Sequence, residues 1–356
     1  MLPNHYSQAH PRINRPRNRS RSKLHAALAL LALALLAAPH IARAQVQSQL
    51  AGGGPPSAAP ELKVMTWNIR GGQVIKIGGE TYPKRCRPNL DEDYLTGIAK
   101  EIRTHAGLDV IALQEVYRGQ VDSLKPLLFT YFGREPDIYF AATLSCDRGP
   151  DDDFGIAIIS RYKFSEGSEK RVPLCHPSPL LEPPADVPKC PTNEPRVLAR
   201  VEIRVGGDPI HIYNAHFEPG GSLHRRMAEL VIRQFDEDNP DRAVLLGDFY
   251  MAPKRSAAYK VILREFRDAW LGADADERKD CSGGEGLTHP TLKPTQREDY
   301  VFVTDGFRVD GARVTCTGDL REIFGLPREG PARDGEGPIF KRVPDHLPLT
   351  VRLALV

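Results

Sequence analysis

Eight polar residues stand at the ends of short apolar runs, and their types are those that hydrolysis of a phosphate ester requires. Asn68 closes Val-Met-Thr-Trp-Asn and Glu115 closes Val-Ile-Ala-Leu-Gln-Glu. Asn214 and His216 lie two apart in Tyr-Asn-Ala-His-Phe, so the alternation of a strand sets both on one face. Asp248 sits in Val-Leu-Leu-Gly-Asp-Phe, Asp299 opens Asp-Tyr-Val-Phe-Val, and Asp345-His346 lead into Leu-Pro-Leu. A phosphate ester repels an attacking hydroxide through its negative oxygens. Chemistry there needs a hard cation held by oxygen ligands, a carboxylate to orient water, and donors for the developing charge. Each residue alone has an ordinary reading, as a turn carboxylate, a cap or a satisfied histidine.

Positioning such residues falls to short strands. Leu62–Asn68, Val110–Glu115, Ile156–Ser160, Val197–Val205, Ile210–His216, Ala243–Asp248, Tyr300–Val303 and Leu347–Leu353 all read as strands. Tyr94, Leu95, Ile98, Ala99 and Ile102 share one face of a helix beginning near Asp91. Leu223, Met227, Leu230, Val231 and Phe235 share one face of a second helix, capped by Ser222. Helices among many strands, some directly consecutive, favour a mixed α/β sandwich over a doubly wound parallel sheet.

Residues 1–44 carry 7 Lys and Arg and no acidic residue, with an apolar run from Ala26 to Ala38 and Ala42-Arg43-Ala44 after it. The run is shorter than the roughly 20 residues of a membrane span, and the pattern reads as a signal peptide cleaved before Gln45. Residues 45–60 read as a flexible leader, and 61–356 as one catalytic domain. Cleavage leaves 41 basic against 46 acidic side chains, a net charge of −5 with no overall pull on polyanions. The mature chain is expected to be a secreted or periplasmic monomer with no integral membrane span. Cys86, Cys146, Cys175, Cys190, Cys281 and Cys316 form no CxxC pair, which favours structural disulfides over zinc ligation; nearest-neighbour pairing would join Cys175 to Cys190.

Taken together and in order, these segments resemble the endonuclease/exonuclease/phosphatase superfamily. The resemblance runs from Met65-Thr66-Trp67-Asn68 through Leu113-Gln114-Glu115, Gly155–Arg161, Asn214-Ala215-His216, Gly247-Asp248-Phe249 and Asp299–Phe302 to Asp345–Leu349. It implies a four-layer α/β sandwich of two mixed β-sheets flanked by helices, with the site at one edge of both sheets. It also implies a phosphoester hydrolase, most simply a nuclease-like phosphodiesterase, using Mg²⁺, with Mn²⁺ or Ca²⁺ as alternatives. Asn68, Glu115 and Asp345 would hold the metal, Asp248 would orient the attacking water, and His346, steadied by Asp299, would contact the phosphate. His216 would add a second donor or protonate the leaving oxygen. One position departs from the family: after Gly-Asp-x it usually carries Asn, and here stands Tyr250. The phenol, or the amide of Asn214, would then bind substrate.

Three substrate classes stay open: nucleic acid, met by Arg225, Arg226 and Arg233; a phospholipid head group, reached by apolar loops at Leu180-Leu181 or Ile323-Phe324; and a small phosphoester. A catalytically silent binding protein is the reading from another class, with Tyr250 as the mark of lost activity.

Overall fold

The structure is a computed structural model that describes residues 59–77, 80–145, 149–177, 186–192, 194–326 and 343–356. The segment read as a signal peptide, and Leu180-Leu181, lie outside these residues.

Fifteen strands are present among the described residues: β1 (Glu61–Asn68), β2 (Gly72–Ile77), β3 (Glu80–Pro88), β4 (Val110–Tyr117), β5 (Asp137–Leu144), β6 (Phe154–Ser160), β7 (Lys170–Cys175), β8 (Arg196–Val205), β9 (Asp208–His216), β10 (Ala243–Asp248), β11 (Arg267–Asp268), β12 (Arg278–Lys279), β13 (Asp299–Val303), β14 (Phe307–Val314) and β15 (Leu349–Leu355). One sheet runs β12-β14-β15-β1-β4-β6-β5 and the other β11-β13-β10-β9-β8-β7, with β2 and β3 as a separate hairpin. Each large sheet contains a central parallel pair, β1 with β4 and β9 with β10, among antiparallel neighbours. Both sheets are therefore mixed.

Alternation along these strands builds the layers. Val64, Val110 and Ala112 share a core with Ile212, Val244 and Leu246 of the second sheet. The opposite face of that sheet turns Tyr213, Leu245 and Phe302 onto Met227, Leu230 and Val231 of a helix at His224–Asp238. Helices Glu92–Thr104 and Arg118–Phe132 bury Tyr94, Ile98 and Ile102, and Val121, Leu124 and Leu128, in the core of the first sheet. The order is helix, sheet, sheet, helix.

The first helix starts where its cap predicts, since the Asp91 side chain accepts from Tyr94 N at 3.0 Å. The second does not: its N-cap is Leu223, which has no side-chain cap, and Ser222 lies one residue outside. Disulfides join Cys175 to Cys190 and Cys281 to Cys316. The Cys86 side chain and Cys146 lie outside the described residues. Arg225 and Arg226 pair with Glu229, and Arg233 with Asp186, so carboxylates already occupy the helix arginines. Ile323-Phe324 is not an exposed apolar loop; Phe324 packs on Tyr94, with ring centroids 5.8 Å apart, and covers Gly97. No helix of the described residues is long and apolar enough to cross a membrane.

Candidate active site

The two parallel pairs end at the same edge of the sandwich, and there the strand-end residues meet. Asn68 ends β1, Glu115 lies near the end of β4, and His216 and Asp248 end β9 and β10 in register with each other. Asp299, at the start of antiparallel β13, faces Asp248. Close approach at this edge depends on Gly247, where an added Cβ would stand 2.0 Å from the Ala215 carbonyl oxygen. Simple alternation would set Glu115 on the face opposite Gln114. A register shift between Leu113 and Val116, with Glu115 at φ 52°, re-aims it toward Asn68. Backbone strain is concentrated here, since Arg70 and Tyr250 also take positive φ, at 45° and 47°.

Asn68 joins the sheets. Its amide donates to Asp248 Oδ2 at 3.0 Å and to Glu115 Oε1 at 3.2 Å. Burial raises the Asp248 carboxyl well above its ordinary range, an effect that the neighbouring His346 opposes. Glu115 is also raised, first by burial and then by the Asp345 carboxylate. His346 Nδ1 lies 2.8 Å from Asp299 Oδ2, and its Nε2 lies 3.6 Å from Asp248 Oδ2. Burial disfavours its charge, yet the carboxylates of Asp299 and Asp248 outweigh that and hold His346 well above the usual histidine value. Trp67 Nε1 donates to the His346 carbonyl at 2.9 Å, fixing the backbone that presents the ring.

His216 has the opposite character. Burial, then the charges of Arg196 and His346, push it well below the ordinary value, so it is neutral near pH 7. Arg196 Nη1 stands 3.1 Å from His216 Nδ1, and a guanidinium can only donate. The lone pair is therefore on Nδ1 and the proton on Nε2, which lies 3.6 Å from Asp248 and 3.9 Å from Glu115 and has no hydrogen-bond partner. His216 is thus a neutral imidazole with an uncommitted donor at Nε2. Arg196 is itself buried and tied to Glu218 and Glu194.

Asn214 and Tyr250, the two residues expected to bind substrate, have different surroundings. The Asn214 amide donates to the carbonyls of Leu113 and Ala157, at 3.0 and 2.9 Å, and its oxygen accepts from Gln114 at 2.8 Å. Asn214 is buried, and both of its N–H donors and its oxygen are engaged in stitching the sheets together. The Tyr250 ring lies along His216, with centroids 5.7 Å apart and planes 21° apart. It is also one wall of a cavity of about 510 Å³ lined by Met251, Lys254, Trp270, Leu287 and Glu298 as well. Arg70 and Arg196 escape a search for strand-end carboxylates and histidines: Arg70 lies two residues past the end of β1, and Arg196 opens β8, a strand that carries none of those residues.

Whether a divalent cation fits can be judged from the donors. Glu115 and Asp345 offer hard carboxylate oxygens at the open rim, with side chains 22% and 19% exposed, and their repulsion raises Glu115. Asp345 Oδ1 is buried without a partner, while Oδ2 pairs with Arg70 Nη1 at 2.7 Å. An oxygen set with excess negative charge and an orphaned acceptor suits Mg²⁺ or a similar hard ion. Among the described residues two further clusters of potential ligands converge, Asp248-Asp299-His346 and His289-Glu298-His346.

Residues 65–320 match the model of the Endonuclease/Exonuclease/phosphatase family. No curated protein matches the chain. Among solved structures, an endonuclease/exonuclease/phosphatase from Bacteroides vulgatus is similar at 19% identity and TM-score 0.59, covering 83% of this chain and 99% of that one. A mannosyl-6-phosphatase from Bacteroides thetaiotaomicron is similar at 20% identity and TM-score 0.59, covering 83% and 100%. The catalytic domain of human Nocturnin, with bound sulfate, is similar at 18% identity and TM-score 0.54, covering 83% and 94%. At such identities these likenesses speak for the fold, which is the one that the strand order and the layering describe. With the family model spanning most of the sandwich and the strand-end residues gathered at one edge, the chain belongs to the Endonuclease/Exonuclease/phosphatase family.

Proposed function

We propose that the chain is an exported phosphodiesterase that depends on a divalent metal and acts on a small phosphoester. The observation that carries this reading is the meeting of Asn68, Glu115, His216, Asp248, Asp299 and His346 at one edge of both sheets, with a neutral and a cationic imidazole on either side of Asp248. A bound Mg²⁺, held by Glu115 and Asp345 with Asn68 beside them, supplies charge neutralisation at the phosphate. Cationic His346 donates from Nε2 to a phosphoryl oxygen, and Asp299 keeps it oriented and charged. His216 donates from Nε2 to the charge that develops on the phosphoryl or leaving oxygen, with its tautomer set by Arg196. Asp248, within reach of both imidazoles, accepts from the attacking water.

The cavity beside Tyr250, about 510 Å³ and walled by Trp270, Met251 and Leu287, is of a size to take a small leaving group. The paired helix arginines give a nucleic-acid backbone little to hold. Similarity in fold to a mannosyl-6-phosphatase keeps small phosphomonoesters in the test set. The charged start, apolar run and Ala42-Arg43-Ala44 support export, and two disulfides are compatible with it.

Glu115→Gln tests the reading, because it removes one charge at nearly constant size. Turnover should be lost and Mg²⁺ binding weakened in calorimetry, with the circular dichroism unchanged. Activity within about threefold of the parent, under ~0.7 kcal/mol in barrier, would exclude Glu115 as a metal ligand. The parent should be assayed with Mg²⁺ on a chromogenic phosphodiester, plasmid DNA, RNA, sphingomyelin and a sugar phosphate. Mass spectrometry of the exported protein should find Gln45 at its start.

A further inference from the structure

Beside His346, two side chains each stand with a polar atom uncommitted. His289 Nδ1 faces Glu298 Oε2 at 3.2 Å, and both atoms are buried without a hydrogen bond of acceptable geometry. The His289 ring also lies against that of His346, with centroids 4.5 Å apart. Ligand atoms of all three residues fall within 4.8 Å of one another. Nothing in the hydrolytic scheme above uses His289 or Glu298.

The pair is held rigidly. His289 exchanges backbone hydrogen bonds with Gln296, at 3.0 and 2.9 Å, closing a loop that returns the chain to Glu298. Thr288 Oγ1 accepts from the backbone N–H groups of Glu298 and Asp299 at 3.2 Å each. The Glu298 side chain is 8% exposed and that of His289 28%, so the cluster is shielded yet open on one side. A salt bridge would be expected to align its donor and acceptor, and this one does not.

We propose that His289, Glu298 and His346 form a second metal site, which takes a borderline divalent ion such as Zn²⁺ and, when filled, withdraws His346 from the reaction. Two imidazoles and a carboxylate are a zinc ligand set, unlike the all-oxygen set at Glu115 and Asp345. Ligand atoms about 2.0–2.1 Å from a tetrahedral ion stand roughly 3.3 Å apart, close to the His289–Glu298 separation. Asp299, holding His346 at Nδ1, leaves Nε2 as the ligating atom and supplies the carboxylate that supports a metal-bound histidine. Zn²⁺ on Nε2 displaces its proton to solvent, and the donor needed by the phosphate is gone. The binding claim stands on geometry alone; the inhibition rests on the hydrolase reading.

The test uses the full exported protein without a histidine tag, saturated with Mg²⁺ and titrated with Zn²⁺. The parent should bind one Zn²⁺ whose X-ray absorption spectrum shows two imidazole ligands, and His289→Ala and Glu298→Gln should each weaken that binding at least about tenfold. Zn²⁺ that lowers turnover of a chromogenic phosphodiester tenfold in the parent should leave His289→Ala within twofold of its own rate in Mg²⁺. Zinc affinity unchanged in both variants, or a spectrum with fewer than two imidazoles, overturns the site. A protein inactive in Mg²⁺ alone would count against the hydrolase reading, while calorimetry and absorption would still decide the zinc site.

Discussion

Tyr250 holds a backbone conformation, φ 47°, that a bulky side chain adopts at a cost of roughly 1–3 kcal/mol and that asparagine tolerates far better. The usual family residue at this point is thus the one its backbone prefers. Tyr250→Asn should therefore raise the free energy of unfolding by about 1 kcal/mol in urea denaturation, whatever it does to catalysis. Because the ring lies along His216, Tyr250→Phe should retain turnover within about threefold; a loss of 10-fold or more at unchanged metal affinity would make the phenol a phosphate donor instead. Glu298 gives a second prediction at this scale. Burial, reinforced by Asp299 and Asp345 and opposed by His346, raises its carboxyl to about 7. The folded protein thus keeps a proton that the unfolded chain releases near pH 4.5, and stability drains away as pH rises from there through 7. In the metal-free protein Glu298→Gln should remove that loss, leaving the variant more stable at pH 8 by up to roughly 3 kcal/mol and little changed at pH 4. Equal melting temperatures at pH 8 would mean that Glu298 keeps its ordinary acidity.

Every apolar run read as a strand is one in the structure, since strict alternation or continuous burial leaves no other low-energy choice; only the last begins late, at Leu349 rather than Leu347. The elements that escaped such a reading lack a clean period. A bulge between Val309 and Gly311 breaks the alternation of β14, β5 is half-buried along most of its length, and the helix Arg118–Phe132 carries Pro126, a residue that argues against a helix, in its interior. Carboxylates and histidines at strand ends were legible because their chemistry is unusual there. Arg196 was not, being a basic residue at a strand start until folding buries it against His216. Asn214 misleads for the same reason: a sequence pairs it with His216 on one face, and only the packed sheets reveal carbonyls within its reach. Asn214→Ala should accordingly cost about 3 kcal/mol of stability by stranding Gln114 and two carbonyls. KM should barely move in steady-state kinetics, and a raised KM at full stability would return Asn214 to the substrate.

At the scale of the whole molecule, two disulfides tie together separated parts of the chain, one of them from Cys175 at the end of β7. Cys175–Cys190 closes a span of 15 residues rich in proline, and Cys281–Cys316 one of 35 that includes β13 and β14. Thiol titration of the denatured, unreduced protein should find none of these four sulfurs free. Replacing Cys281 and Cys316 together by serine should lower stability by about 3–4 kcal/mol, and a melting temperature unchanged within a degree would show that this loop needs no cross-link.

The order of strands has one more consequence, for the timing of assembly. β15, made of residues 349–355, lies between β14 and β1, so the first strand of the sheet waits for its antiparallel neighbour until some 280 residues later have been made. His346 arrives only three residues ahead of that strand. A nascent chain stopped short of His346 could already pair β1 with β4 and β9 with β10, and so gather Asn68, Glu115, His216 and Asp248, but it would lack both His346 and the antiparallel partner of β1. Asp299 therefore gains its imidazole partner only when the segment leading into β15, the strand that completes the pairing of β1, has been made.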